Sequence, residues 1–215
     1  MCFSTEASFS AAFFLGAAGG LTLKKISHRS YFFLACIPIL FAIQQFSEGL
    51  IWLYLNGEIG SNQLLINAER SFLTFAFLIW PIWLPLSFAL TEHVTWRRYL
   101  LFINLYCGVA LSTLNLTYAM REDVTVKIVN HSIQYLGHIP EQTFIYPVIV
   151  MLPLFLSSLK NVWIYGILTV IAFVIADYYY TVTFASVWCF FSAIISFFIY
   201  KIIKDNQPSV ENTSS

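Results

Sequence analysis

EASFSAAFFLGAAGGLTLKKISHR, residues 6–29, decides how the rest of the chain is read. Ala7 to Leu23 is apolar over about 17 residues, near the lower limit for a helix that crosses a bilayer. A cleaved leader places positive charge before its apolar core and small residues at a cleavage site after it. Here the order is reversed: Glu6 precedes the run, and Lys24, Lys25 and Arg29 follow it. The segment reads as a retained helix with its N-terminus outside.

Composition agrees. Of the 215 residues 59% are hydrophobic and only 10% charged, and the mean hydropathy is +0.74. Soluble domains carry about 25% charged residues. A chain this apolar cannot cover its surface with polar groups, so the bilayer is the solvent that suits it. Formal net charge is zero, which gives no electrostatic reason to expect a nucleic-acid partner. The partners expected are membrane lipids and a small amphiphile.

Six further apolar runs follow, giving spans at about 7–23, 31–55, 71–91, 98–119, 142–159, 162–180 and 183–202. Each can cross at about 1.5 Å per residue. Pro147 and Pro153 interrupt the fifth. Pro81 and Pro85, one turn apart in the third, predict a kink whose freed carbonyls need partners on neighbouring helices. With the N-terminus outside, the inner loops hold Lys24, Lys25, Arg29, Arg97, Arg98, Lys160, Lys201 and Lys204. The outer side holds only Arg70, Arg121 and Lys127. That asymmetry predicts N-out, C-in. Between spans 4 and 5, VTVKIVNHSIQYLG (124–137) alternates apolar and polar residues, the pattern of a strand or hairpin. It predicts a small cap on the outer face. Residues 205–215 read as a disordered cytoplasmic tail.

Ionisable groups inside a span need a reason. Glu48, in FAIQQFSEGLIWL (41–53), stands roughly 25 Å above the inner edge by helical rise. Gln44 and Gln45 lie four and three residues before it and can share its face. The plainer reading is a protonated acid in an interhelical hydrogen bond. Asp177 lies near the outer end of span 6, where it is either an interfacial residue or a site residue. Cys2 and Cys189 belong to the same outer half. Cys2 reads as a disulfide partner of Cys189, as a ligand or nucleophile, or as a small residue packed at a helix start. Cys36 and Cys107 read as buried fillers. His28 and His93 add to the basic inner side, and His131 is either a solvated loop residue or inserted over the bundle. A Cys, His, Glu and Asp set facing one pocket can bind Zn²⁺, or form a Cys–His–acid arrangement.

MCFS (1–4), QQFSEGLIWL (44–53), NHSIQYLGHIP (130–140) and FASVWCFFSA (184–193) together carry a resemblance over nearly the whole chain. The chain resembles a bacterial family of small seven-span membrane proteins, a domain of unknown function. The resemblance points to Cys2, Ser4, Gln45, Glu48, His131, Tyr135, Trp188 and Cys189 and supplies no activity. Microbial rhodopsins fit less well, because the last span has no internal lysine. The ceramidase and adiponectin-receptor group fits less well too, because no histidine lies inside a span.

The expectation is therefore an all-α, seven-helix bundle in the bacterial inner membrane, with a polar pocket facing outward. A metal-assisted hydrolase of a lipid or amphiphile would use Glu48 and His131 as catalytic residues. Gln45, Tyr135, Trp188 and Asp177 would contact substrate, and Cys2, Cys189, His131 and Glu48 would hold Zn²⁺. A transporter or binder would use Glu48 and Asp177 as proton or cation sites. A structural or sensory protein would use Cys2 and Cys189 as a disulfide.

Overall fold

The computed structural model describes residues 4–119, 125–136 and 145–207, without the side chains of 117–119. Helices dominate. α1 (Thr5–Lys24) starts at Ser4, whose hydroxyl accepts from the Ala7 amide at 3.3 Å. Glu6 in its first turn and Lys24 in its last complement the helix dipole. A short 3₁₀ turn, Arg29–Tyr31, leads into α2 (Phe32–Leu55). α1 packs along α2 with Gly19 against Ile39, where a Cβ would fall 3.0 Å from the Ile39 nitrogen.

α3 (Asn62–Thr74) and α4 (Trp80–Thr91) form one continuous helical run through a π turn at Phe75–Ile79. The run begins at Asn62, nine residues before the expected start at 71, because Ser61 caps it by accepting from the Leu64 amide. The π turn precedes Pro81, which has no N–H. In it the Trp80 amide reaches back to the Phe75 carbonyl, leaving the Ala76 carbonyl without its own helical donor. The Tyr146 hydroxyl donates to that carbonyl instead. Pro85 likewise frees the Pro81 carbonyl, which lies so close to Gly108 that a Cβ there would fall 1.9 Å from it. The expected rescue by a neighbouring helix is seen at the Ala76 carbonyl, through Tyr146.

α5 (Thr95–Ala119) follows, then a hairpin of β1 (Thr125–Val129) and β2 (Ser132–Leu136), antiparallel with Val129 opposite Ser132. Asn130 and His131, with φ of 49° and 58°, make the two-residue turn, the primed geometry that suits strand twist. The hairpin read from the alternation is therefore present. α6 (Ile145–Leu156), α7 (Val162–Tyr179), a 3₁₀ turn at Thr181–Thr183, α8 (Phe184–Ile195) and α9 (Phe198–Asn206) complete the chain. α8 and α9 meet at 41°, so the run expected as one straight span at 183–202 is bent. Among the described residues, five helical runs are long and apolar enough to cross a membrane, six if the bent pair counts as one, and α6 is a shorter apolar helix.

Hydrogen bonds sort the turns into two ends. At one, Glu92 binds Ser158, Lys160 pairs with Asn206, and Ser27 donates to Gln207. At the other, Asn56 donates to Thr5 and Ser132 to Thr183. Asp205 to Gln207, expected in a disordered tail, instead finish α9 and anchor it to two turns; residues 208–215 lie outside the description. Large apolar side chains such as Phe13, Tyr106, Leu114 and Tyr178 face outward, as lipid contact requires. Cys107 is among the outward-facing residues, so it is not a buried filler.

Candidate functional site

The helical spacing of α2 puts Gln44, Gln45, Ser47 and Glu48 into the interior, with Glu48 only 1% exposed and both glutamines fully covered. α8 supplies the facing wall. Ser186 and Cys189 are three residues apart and share one face. The Ser186 hydroxyl donates to Glu48 Oε1 in a short hydrogen bond, and Gln45 Nε2 donates to Glu48 Oε2 at 3.2 Å. Gln44 takes a separate role. Its Nε2 donates to Cys189 Sγ at 3.4 Å, and its Oε1 accepts from Trp80 Nε1 at 2.9 Å. α2, α4 and α8 are thus tied by one buried polar layer.

The hairpin closes this layer. Alternation along β2 turns Ile133 and Tyr135 inward, both buried, while Ser132 is held by Thr183. The Tyr135 ring stacks on Phe72 of α3, centroids 4.8 Å apart. Tyr135, Trp52 and Cys189 pack in one cluster with Ala68, Phe72 and Leu73. Burial pushes the Tyr135 phenol well above its ordinary value, and the nearby Glu48, Cys189 and Glu69 add to the shift. Tyr135 is therefore a hydrogen-bond donor at any ordinary pH.

Glu69, buried on the same face of α3 as Phe72 and Leu73, brings a second carboxyl to this region. It was placed in an outer loop by the sequence, because the apolar run begins after it. Several buried polar atoms here have no hydrogen-bond partner among the described residues: Gln45 Oε1, Trp52 Nε1, Glu69 Oε1, Tyr135 Oη and Trp188 Nε1. Native interiors leave few such atoms, and each calls for a ligand, a water or an ion.

Below the polar layer runs a narrow apolar slot of about 30 Å³, room for one or two water molecules. Phe41, Trp80, Tyr146, Tyr165 and Trp188 form its aromatic walls, and Cys189 sits at the boundary with the polar layer.

Glu48, Gln45, Tyr135, Trp188 and Cys189 are thus brought to one region. His131 and Asp177 are not. His131 occupies the exposed hairpin tip, because the turn takes Asn130 and His131 and the inward register falls on Ile133 and Tyr135. Asp177 is exposed near the end of α7. Cys2 lies outside the described residues. Cys189 is a free thiol engaged by Gln44, and its pairing with Cys2, one of the three readings of that cysteine, involves a residue outside the described ones. Among the described residues no three His, Cys, Asp or Glu side chains group around a possible metal position. Ser186, Trp80 and Glu69 were absent from the sequence-derived site, whereas Gln44 was placed on the face of Glu48 by its spacing. Ser186 had a findable signal, helical spacing from Cys189.

The model of a family of unknown function, DUF6629, matches residues 1–214. No curated protein and no solved structure matches the chain.

Proposed function

This chain belongs to the DUF6629 family, and we propose that it is a membrane-embedded binder of a small amphiphile, whose polar head is held beside Glu48. The observation that carries this reading is the set of unpaired buried donors and acceptors around one carboxyl, on α2, α3, α8 and the hairpin. The Trp52 indole and the Tyr135 phenol offer donors, the Trp188 indole offers another at the slot, and Gln45 and Glu69 offer acceptors. Two buried carboxyls, Glu48 and Glu69, offer no positive charge to an anion. The matching head group is neutral or cationic and carries both hydroxyl or amine hydrogens and acceptor oxygens. The aromatic slot next to Cys189 would receive the start of an apolar tail once its walls part.

In this reading the helices make seven crossings of the bacterial inner membrane: α1, α2, α3 with α4, α5, α6, α7, and α8 with α9. The end that holds Lys24, Lys25, Arg29, Lys160, Lys201 and Lys204 faces the cytoplasm by the positive-inside rule. The hairpin and Glu48 then lie toward the outer face. A hydrolytic version would have Glu48 act as base on the bound head group, with Cys189 beside it. Zn²⁺ would need His131 to leave the hairpin tip, or Cys2 to join Cys189 and Glu48.

The test is solvent extraction of the purified protein, with retained amphiphiles identified by mass. Wild type is expected to hold one near stoichiometry, and Glu48→Gln and Tyr135→Phe to lose it while keeping their melting temperature. Equal retention in both variants would sink the proposal. A stoichiometric metal in wild type, lost in Glu48→Gln, would instead favour the hydrolytic version.

A further inference from the structure

We infer that the groove where the end of α1 meets the start of α2 seats the phosphate of an anionic glycerophospholipid. The site is separate from Glu48, at the opposite, basic end of the molecule. It is a cavity of about 460 Å³ lined by Leu23, Ile26, Ser27, His28, Arg29, Phe32 and Phe33. Its walls divide by chemistry. Leu23, Ile26 and the two phenylalanines make an apolar floor, and Phe32 is 47% exposed, as if waiting for acyl carbon. Ser27, His28 and Arg29 make a polar rim, with Lys24 and Lys25 beside it.

The donors are available. Arg29 is exposed, and its guanidinium makes no hydrogen bond or ion pair among the described residues. His28 caps the 3₁₀ turn, its Nδ1 accepting from the Ser30 amide at 3.4 Å. Nδ1 also lies 2.8 Å from the Ser30 hydroxyl, so both contacts of the ring with Ser30 are made by Nδ1. Glu92, buried at this end, directs its carboxylate to Ser158 and Val94. A fork-shaped donor suits a phosphodiester, and an apolar floor below a basic rim is the profile of a phospholipid at the interface rather than of a free ion. Basic residues outnumber acids on this face, so the lipid chosen is anionic.

The experiment is native mass spectrometry of the full chain released from nanodiscs containing equal phosphatidylglycerol and phosphatidylcholine. Wild type is expected to retain one phosphatidylglycerol in preference to phosphatidylcholine. Arg29→Gln should retain about fivefold less, the effect of one basic group near a charged surface. Lys201→Gln, an exposed lysine elsewhere on the same end, should retain it as wild type does. Equal retention of both lipids, or of phosphatidylglycerol by wild type and Arg29→Gln, overturns the inference. So does an equal loss in Lys201→Gln, which would mean diffuse surface charge. Displacement of the lipid by soluble glycerol phosphate overturns it as well, in favour of a free-phosphate site.

Discussion

The Asn104 amide stands 2.9 Å from the Ile149 carbonyl, and that carbonyl is the one whose helical donor would be the missing N–H of Pro153. A polar residue on α5 thus completes a hydrogen bond that proline removes from α6. Asn104→Leu should lower stability by about 1–3 kcal/mol, since it leaves a buried carbonyl unpaired. Pro153→Ala restores the N–H, so the cost of Asn104→Leu should shrink in that background. Thermal unfolding of the four proteins in one detergent measures the coupling. Equal costs in both backgrounds would break the link.

Proline-freed carbonyls explain part of what the sequence made legible. Pro81, Pro85 and Pro153 announced which carbonyls needed help, but not who would give it. The helpers, Tyr146 for the Ala76 carbonyl and Asn104 for the Ile149 carbonyl, sit on other helices. Within the site, Glu48 and Gln45 were legible because a span's only buried acid must find a partner one helical turn away. Tyr135 was marked only by the family resemblance, and the register of the hairpin is what turns it inward. Of the two readings of His131, the solvated one matches its exposed place at the turn; the alternating pattern alone does not say which two residues form that turn. Glu69 was missed because polar residues around it hid the start of α3. Ser186 was missed because one serine in a span is ordinary until its partner is known.

The approach of Gly108 to the Pro81 carbonyl gives a steric prediction. A Cβ at 1.9 Å cannot be accommodated without moving α5 from α4. Gly108→Ala should cost about 1–3 kcal/mol or more, the range for overpacking. Gly20, in α1, has nothing within 4 Å of a built Cβ. Gly20→Ala should therefore gain about 0.5–1 kcal/mol from helix propensity alone. Opposite signs in the two melting temperatures are expected, and matching signs would contradict the close approach.

Cysteine reactivity tests the packing around the site. Cys107 is exposed on the outer surface of the bundle, whereas Cys189 is buried and held by Gln44. A membrane-permeant maleimide should label Cys107 in the folded protein and spare Cys189, and denaturation should release Cys189 to label as well. Gln44→Leu removes the amide that tethers the thiol. Peptide mapping of the labelled sites reads the result, and rapid labelling of Cys189 in folded wild type would place the thiol outside the core.

Glu92 gives the pH dependence. Burial pushes its carboxyl pKa up, but donation from the Ser158 hydroxyl and from the backbone of Val94, Ser158 and His93 outweighs it, so the net value lies below the ordinary one. Ser158 donates to it twice, at 2.6 Å from its amide and 2.6 Å from its hydroxyl, which ties the α4–α5 turn to the α6–α7 turn. A carboxyl with a lowered folded pKa binds fewer protons folded than unfolded. Its stabilisation is fully present above the ordinary glutamate value. It fades as pH falls from there through the lowered folded value. Melting temperature should therefore decline on acidification below the ordinary glutamate range. Glu92→Gln should be less stable than wild type at neutral pH, because a neutral amide accepts these bonds more weakly. The two curves should converge in acid. Parallel curves across that range would show that the α4–α5 and α6–α7 turns are held by something other than the charge on Glu92.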